Sequence, residues 1–248
     1  MSDDASPKLR GGSGADSGPW AIGKIPDKII YAIGRQIVHG MVLGKQDITG
    51  NEFGDMFANA VGGTHYSSPL GLIDVASGKT GWSVKTIKSN NPEKMRRARL
   101  ISGRNSPDYS FGLSDPRENI SITGESVLSI WNSRLNAARQ AHGDVRIMVL
   151  VRNMQTKAFV LFEEEMIRYV PEDFEWVLNS NNNLQGHKKT DNKHFFTWQF
   201  HGGQFTVIRD IPGSTRCFRI TRNIPYIKPA ELDAMINYSD DWITLVGT

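Results

Sequence analysis

The chain of 248 residues is long enough for one large domain or two small ones, and its 39% hydrophobic and 22% charged residues are typical of a soluble globular protein. A single cysteine excludes an internal disulfide framework and a cysteine-rich zinc site, and no apolar run approaches the roughly 20 residues that cross a bilayer. The net charge of +3 is mild, but the basic residues are unevenly distributed. These features indicate a cytoplasmic protein with no membrane partner.

The first segment, MSDDASPKLRGGSGADSGPW, is rich in glycine, serine, aspartate and proline. It lacks the basic region followed by an apolar region that defines a secretory signal. We interpret residues 1–20 as a flexible leader and expect residues 21–248 to form a single domain.

Two helices are predicted after the leader. KIIYAIGRQIVHGMVLG has apolar residues at helical intervals and ends in glycine. In DITGNEFGDMFANAVGG, Gly62 and Gly63 end a second helical pattern, in which Glu52 lies near the N-terminal end, where the helix dipole favours a carboxylate. The apolar residues of this second pattern recur every three or four positions: Phe53, Met56, Phe57, Ala60 and Val61.

The segments LGLIDVA and GWSVKTIK predict two short strands, because they are apolar and β-branched. If Ser77–Thr80 form the turn between them, Asp74 lies directly opposite Ser83. Residues two apart on a strand share a face, so Lys85 lies diagonally across from Asp74. An acid and a lysine that project together from an apolar hairpin indicate a functional site, and a surface ion pair on an edge hairpin is the alternative.

The same hairpin contains Gly78-Lys79-Thr80, which matches the last three residues of the phosphate-binding loop motif. That loop requires a glycine where this chain has Ile73, and a helix must follow it, whereas GWSVKTIK has strand character. A nucleotide-binding loop is therefore not predicted.

Further along the chain, NPEKMRRARLISGR predicts a basic helix, and ENISITGESVLSIWNSRLNAARQAHG contains a long one. The apolar stripe of the long helix is Val127, Leu128, Trp131, Leu135 and Ala138. VRIMVLV and AFVLFEE predict two more strands, the first buried on both faces.

The last third differs in character. NSNNNLQGHKKTDNK is polar and loop-like, and HFFTWQF and QFTVIRD predict a hairpin around His201-Gly202-Gly203. Cys217, in the strand-like run RCFRI, is predicted to be a small apolar core residue. Together the elements predict an α/β fold in which a mixed β-sheet is flanked by helices and followed by a C-terminal extension rich in β-hairpins.

Asp74, a short turn and then Ser83-Val84-Lys85 resemble the site of the PD-(D/E)XK nucleases, in which an aspartate and an acid-x-lysine triplet occupy neighbouring strands. The order of helix, hairpin, helix and apolar strand resembles their common core over about residues 45–165. The run HFFTWQFHGGQFTVIRD is similar to segments of type II restriction endonucleases. The resemblance implies a restriction-endonuclease-like core that hydrolyses double-stranded DNA at specific sequences, with about residues 180–248 in contact with DNA.

The resemblance also implies the catalytic groups. Asp74 would be the main ligand of Mg²⁺, for which Mn²⁺ can substitute, and the backbone carbonyl of Val84 would be a second ligand. Lys85 would lie near the attacking water, would orient it or ease its deprotonation, and would add positive charge for the transition state. Ser83 departs from the family pattern because an acid is usual there. Glu52 is the first candidate to replace that acid, with Glu125 and Glu93 behind it, and a solvated carboxylate at a helix start is the alternative for Glu52.

Basic residues are dense just after the predicted site, which is typical of phosphate contacts, although a solvated helix face is the alternative. NNNLQGHKKTDNKH carries side chains of the types that read base edges, with a plain polar loop as the alternative. The residues predicted to contact DNA are Lys88, Arg96, Arg97, Arg99, Arg104, Lys188 and Lys189.

Cleavage of both strands of a symmetric site requires two active sites, so a homodimer is expected. The resemblance further implies a prokaryotic host and a DNA methyltransferase that protects host DNA. Two other functions are compatible with the same residues. One is a structure-specific repair or junction nuclease of the same fold, and the other is a DNA-binding protein whose catalytic site has decayed at Ser83.

Overall fold

A computed structural model describes residues 18–66 and 71–246. Most of the predicted leader lies outside the described residues. The helices are α1 Asp27–Val42, α2 Gly50–Val61, α3 Pro107–Phe111, α4 Ile120–His142 and α5 Pro229–Ile236. The strands are β1 Thr64–His65, β2 Val75–Ser77, β3 Thr80–Lys88, β4 Arg97–Arg104, β5 Asp144–Asn153, β6 Ala158–Glu165, β7 Phe174–Leu178, β8 Leu184–Lys188, β9 His194–Trp198, β10 Gln204–Asp210 and β11 Arg216–Arg219. None of the described helices is long and apolar enough to cross a membrane.

The strands form two sheets. The first is a mixed sheet of six strands in the order β1-β2-β3-β5-β6-β11, in which β3 and β5 pair parallel and the other neighbours pair antiparallel. The second is an antiparallel sheet of five strands in the order β4-β10-β9-β8-β7. The prediction of an α/β fold with a mixed sheet is confirmed. The second sheet is mainly C-terminal, but its edge strand β4 comes from the middle of the chain.

The six-stranded sheet is buried on both faces. One face packs against α1 and α2 through residues such as Ile33, Phe57 and Trp82. The other face packs against α4 and the inner face of the five-stranded sheet, through residues such as Trp131 and Phe196. Strand β5 contributes to both clusters, since its alternate side chains point to opposite faces, and its predicted burial is confirmed.

Several predicted elements are confirmed. Both N-terminal helices form, and Gly62 ends α2 in the left-handed conformation, with φ of 63°. The apolar stripe predicted for α4 is buried. Strands β9 and β10 form the predicted hairpin, whose connection contains Gly202 and Gly203 at φ of 79° and 63°.

The basic helix predicted for NPEKMRRARLISGR is wrong. The segment forms a short 3-10 turn, Pro92–Lys94, and then strand β4. Along β4, Ala98 and Leu100 are buried whereas Arg97 and Arg99 are exposed. Burial therefore repeats every two residues, as in a strand, and not every 3.6 residues, as in a helix. Pairing with β10 outweighed the helix propensity of the lysines and arginines.

Two smaller predictions are also wrong. The polar run NSNNNLQGHKKTDNK is not all loop, because Leu184–Lys188 form β8, where Leu184 is buried and Gly186 lies against the rings of Trp176 and Phe196. Cys217 is exposed and not part of the core, since β11 is an edge strand that points this side chain outward.

A buried ion pair supports the hairpin that carries Asp74. Glu163, 1% exposed, accepts hydrogen bonds from the indole nitrogens of Trp20 (2.9 Å) and Trp82 (2.8 Å) and pairs with Arg146 at 3.2 Å. All four side chains therefore hold β3 against β5, β6 and the segment before α1.

Candidate active site

Strands β2 and β3 form the predicted hairpin, in the predicted register. Ala76 lies opposite Gly81 and Val75 opposite Trp82, and Gly78 in the turn has φ of 56°. Glycine adopts this left-handed conformation without strain, which explains its place in so tight a turn.

The hairpin is asymmetric, and this asymmetry creates the site. Strand β2 begins at Val75 whereas β3 continues to Lys88, so no strand of the described residues pairs with this edge of β3 beyond Trp82. The last backbone bond of the ladder runs from the Asp74 amide to the Trp82 carbonyl, at 2.9 Å. Val84 faces the same edge two residues later, and its amide donates to Oδ2 of Asp74 at 2.7 Å. The carboxylate thus takes the place of the missing backbone acceptor.

Oδ2 of Asp74 also accepts the Ser83 hydroxyl at 3.2 Å and the Lys85 ammonium at 3.0 Å. The same ammonium donates to the Val84 carbonyl at 3.1 Å. The Asp74 and Lys85 side chains are each about one fifth exposed, at 22% and 23%. The structure therefore brings Asp74, Ser83, Val84 and Lys85 together.

An open cavity of about 370 Å³ lies over this cluster. Its walls come from the start of α2, from β1 and the residue after it, from β3 and from β4. The lining residues are Gly50, Asn51, His65, Tyr66, Asp74, Val84, Lys85, Thr86, Arg99, Leu100 and Ile101. The predicted catalytic aspartate and lysine and one predicted DNA-contacting arginine therefore face a common space.

Glu52 does not line this cavity. Its carboxylate accepts the Thr49 amide at 2.8 Å in a capping box and pairs with Lys45. The hydrogen bond from Lys45 and then that from the Thr49 amide hold the pKa of Glu52 below its usual value. Of the two further candidates for the missing acid, Glu93 pairs with Arg219, and Glu125 is an exposed residue of α4 outside the cavity lining.

A histidine that the sequence analysis missed lines the cavity. His65 places Nδ1 at 2.8 Å from the Asp55 carboxylate, and its ring lies on Gly54. A Cβ at position 54 would come within 2.3 Å of Nε2 of that ring, so the ring occupies this place only over glycine. Asp55 belongs to the same helix face as Asn51, another lining residue, whereas His65 lies in a two-residue strand that no sequence pattern marks.

The cluster fits a magnesium site that has one side-chain carboxylate. All hydrogen bonds that the described residues donate to Asp74 end on Oδ2, which leaves Oδ1 without a donor among them. The Lys85 ammonium lies within 3.1 Å of both Oδ2 and the Val84 carbonyl. Magnesium is commonly held by one or two carboxylates together with waters and substrate phosphates. Residues 18–66 and 71–246 contain no group of three or more His, Cys, Asp or Glu side chains arranged to hold a metal.

Arg134 of α4 supports the site from behind. It donates to the Ser102 carbonyl at 3.0 Å, to Oδ1 of Asn105 at 2.9 Å and to the Gly71 carbonyl at 3.4 Å. Burial lowers the pKa of Arg134, and the negative charge of Asp74 acts in the opposite direction. These contacts show that Arg134 ties β4 to the segment before Asp74.

The residues predicted to contact DNA occupy different parts of the surface. Arg97 and Arg99 project from the outer face of β4, and of these two only Arg99 lines the cavity.

Lys88, at the end of β3, lines a separate cavity of about 390 Å³ together with Lys45 and Arg152. Arg96 and Arg104 are exposed at the two ends of β4, and Lys188 and Lys189 lie at the end of β8, three strands away.

A series of polar side chains, the outer polar track, continues from Arg99 across the outer face of the five-stranded sheet. Arg99 donates to Oγ1 of Thr197 at 3.4 Å, and Nε2 of His194 lies 3.1 Å from the same oxygen. The rings of His194 and His187 stack with centroids 5.0 Å apart, and His187 contacts Oε1 of Gln185 at 3.3 Å. The track therefore reaches from the cavity rim to β8.

The electrostatics of the track favour a neutral histidine. Burial is the main cause that lowers the pKa of His194, and the neighbouring His187, Arg99 and Arg97 lower it further, although the hydrogen bond to the Phe196 carbonyl opposes them. A neutral imidazole offers both a donor and an acceptor.

Comparison of the chain with models of protein families, with curated proteins and with solved structures finds no match in any of the three. The function of the protein is therefore inferred from the geometry of the site.

Proposed function

We propose that the protein is a magnesium-dependent endonuclease of the PD-(D/E)XK type, with a restriction-endonuclease-like core, that hydrolyses double-stranded DNA at specific sequences as a type II restriction enzyme. One observation carries the proposal. The hairpin places the Lys85 ammonium within hydrogen-bond distance of both the Asp74 carboxylate and the Val84 carbonyl, beneath an open cavity beside a basic strand.

Each of these groups has a role that follows from its chemistry. Asp74 and the Val84 carbonyl would hold magnesium, which would neutralise charge at the phosphate and make water easier to deprotonate. Ser83 and the Val84 amide fix Oδ2 of Asp74, which leaves Oδ1 for the cation. Lys85 carries a positive charge that orients the attacking water and stabilises the charge that develops on the phosphate.

Serine at position 83 makes this a site with one carboxylate in the hairpin. An acid there would place two negative charges within hydrogen-bond distance, and each would raise the other's pKa. Ser83 instead donates to Asp74, and Lys85 neutralises the single carboxylate. The hairpin therefore has no second carboxylate whose repulsion a metal must offset, and we expect its affinity for magnesium to be lower than that of a site with two acids.

The DNA duplex would lie across the cavity and the outer face of the five-stranded sheet. Arg97 and Arg99 project from β4 and are suited to phosphate contacts, as are Arg96 and Arg104 at the ends of that strand. The outer polar track supplies donors and acceptors of the kind that read base edges. Lys188 and Lys189 would contact the duplex farther from the cleavage site.

Two partners follow from this proposal. Cleavage of both strands of a symmetric sequence uses two catalytic cavities, which a homodimer supplies. A restriction enzyme also acts alongside a DNA methyltransferase that protects host DNA at the same sequence.

Ser83 also favours a second candidate, a DNA-binding protein without catalytic activity. It would use the same basic strand and the same outer polar track, but the single carboxylate would leave phosphodiester bonds intact. The two candidates differ in one measurable property, which is cleavage.

The test is incubation of the purified chain with phage DNA in Mg²⁺ and in Mn²⁺, beside the variants Asp74→Asn and Lys85→Met. Asp173→Asn is the matched control, since Asp173 is exposed and does not line the cavity. Discrete fragments from the wild type and the control, but from neither site variant, would support the proposal. A smear lost in both variants would favour a nuclease that does not read sequence. Tight binding with no cleavage by any form in either metal would reject the enzyme and leave the DNA-binding protein.

A further inference from the structure

Almost every residue in the last part of the described chain is exposed. We define residues 229–246 as the C-terminal arm, which contains α5 and the 3-10 turn Asp240–Trp242. Helix α5 has no buried residue. Among the described residues, every hydrogen bond of the arm is made to another residue between 228 and 243. The arm is therefore folded locally but does not pack into either core cluster.

The arm leaves the protein at the end of α1. The Ile227 amide donates to the Val42 carbonyl at 2.9 Å, and the ring of Tyr226 lies on Gly44. A Cβ at position 44 would come within 2.7 Å of that ring, so the close approach depends on glycine. These contacts fix the starting point of the arm beside the C-terminal end of α1.

The arm exposes a large apolar surface. Its Tyr238 and Trp242 rings contact each other, with centroids 5.7 Å apart, yet Trp242 remains 60% exposed. Single exposed apolar residues are normal in proteins, but a continuous run of them marks an interaction surface. The other exposed apolar side chains are Met235 (68%), Ile236 (46%), Ile243 (62%), Leu245 (92%) and Val246 (90%).

The charge of the arm indicates what covers it. The arm contains Glu231, Asp233, Asp240 and Asp241 and no lysine, arginine or histidine, so its charge is −4. The rest of the chain holds all 29 basic residues and the remaining 22 acidic ones, which gives it a charge of +7. An acidic arm is repelled by DNA phosphates and attracted to the basic surface of another copy of the chain.

A complementary surface exists on α1. Lys28, Tyr31 and Arg35 are exposed at the spacing i, i+3 and i+7, so they form one stripe along the helix, which we call the α1 stripe. Tyr31 is 73% exposed between the two cations. Within the described part of the chain, none of these three side chains makes a hydrogen bond or an ion pair.

We propose that the C-terminal arm of one copy docks on the α1 stripe of a second copy, and that the exchange is reciprocal. The acidic and apolar side chains of the arm match the two cations and the tyrosine of the stripe. Since each arm starts beside α1, a two-fold axis near this helix brings each arm to its partner's stripe. A stable interface takes roughly 20–30 residues from each side, which the arm and the stripe together approach. This inference does not rest on the proposed nuclease activity.

The first test is the mass of the full chain in solution, without DNA, by size-exclusion chromatography with light scattering. We expect twice the chain mass of 27.7 kDa for the wild type and the single mass for a chain that ends at Lys228. Circular dichroism and the melting temperature show whether the shortened chain folds. A dimer that persists after truncation, or a full chain that is monomeric at every concentration, would overturn the proposal.

Charge reversal tests the surface without removing it. Asp233→Lys with Asp241→Lys, or Lys28→Glu with Arg35→Glu, should each raise the dimer dissociation constant at least tenfold, and the four changes together should restore it. Glu172→Lys with Asp173→Lys is the matched control, because both residues are exposed far from the arm in sequence.

If the arm instead covers its own α1, the wild type is a monomer whose arm resists proteolysis until the charges are reversed. That result would also reject docking between copies. These variants decide the question even if the truncated chain fails to fold.

Discussion

Oδ2 of Asp74 lies 2.7 Å from the amide nitrogen of Val84, so a side chain completes the hydrogen-bond ladder of the hairpin where the backbone of β2 ends. The same oxygen accepts from Ser83 and Lys85. The residue proposed to bind the metal is therefore also a structural part of the hairpin, and substitutions at this position must be chosen to separate the two roles.

Asp74→Asn and Asp74→Ala should differ in stability but not in activity. Asparagine keeps one oxygen for the Val84 amide, so its free energy of unfolding should stay within about 1 kcal/mol of the wild type. Alanine leaves that amide without its acceptor, which should cost about 1–3 kcal/mol. Both variants remove the carboxylate and should abolish DNA cleavage. Urea denaturation and a cleavage assay measure the two effects, and equal stability of the two variants would contradict the structural role.

Ser83→Asp should make the stability of the hairpin dependent on metal. The new carboxylate would lie beside Asp74 and repel it, so the melting temperature without metal should fall by about 2–4 °C, as expected for about 1 kcal/mol in a chain of this length. Added Mg²⁺ should reverse the loss, because two acids hold the ion more tightly than one. Differential scanning calorimetry across a magnesium titration measures this. Ser83→Asn is the control of similar size without charge, and a magnesium response equal to that of Ser83→Asp would reject the explanation.

Gly54→Ala should destabilise the protein although alanine is the better helix former. The added Cβ would come within 2.3 Å of Nε2 of His65, so the ring must leave its place on α2 and its contact with Asp55. We expect a loss of about 1–3 kcal/mol, typical of overpacking, together with a change in the cavity wall. Gly50→Ala is the matched control in the same helix, since no heavy atom of the described residues lies within 4 Å of a Cβ there. A Gly54→Ala protein as stable as this control would show that the ring is not confined.

The protein should become less stable as the pH is lowered, because of His194. Burial, His187 and the two arginines lower the pKa of His194 in the folded chain, so the folded state binds a proton less readily than the unfolded state. The stabilisation is complete above the unfolded pKa of about 6.5 and is lost as pH falls through that value toward the folded pKa. Urea midpoints between about pH 5 and 7.5 should drop more steeply in the wild type than in His194→Gln. His201→Gln, in an exposed loop, should keep the wild-type slope, and identical slopes for all three proteins would refute the role of His194.

The sequence alone determined the hairpin and its register. The turn residues, the apolar and β-branched character of both segments and the positions of Asp74 and Lys85 were sufficient, because contacts across a short hairpin are local and side chains along a strand repeat every two residues. The same holds for α1, α2 and α4, whose apolar stripes and glycine ends are local patterns. The asymmetry that turns the Asp74 side chain into a ladder partner was not predictable, since it depends on where β2 stops.

The tertiary structure alone decided how distant segments meet. Strand β4 was predicted as a helix because its basic residues favour one, and only pairing with β10, about a hundred residues later, made it a strand that carries Arg99 to the cavity. His65 joined the site through a packing contact with Gly54, and Glu52 was kept from it by Lys45 and Thr49. Local propensity is a fraction of a kcal/mol per residue and describes only near neighbours, whereas long-range pairing and burial are collective and outweigh it.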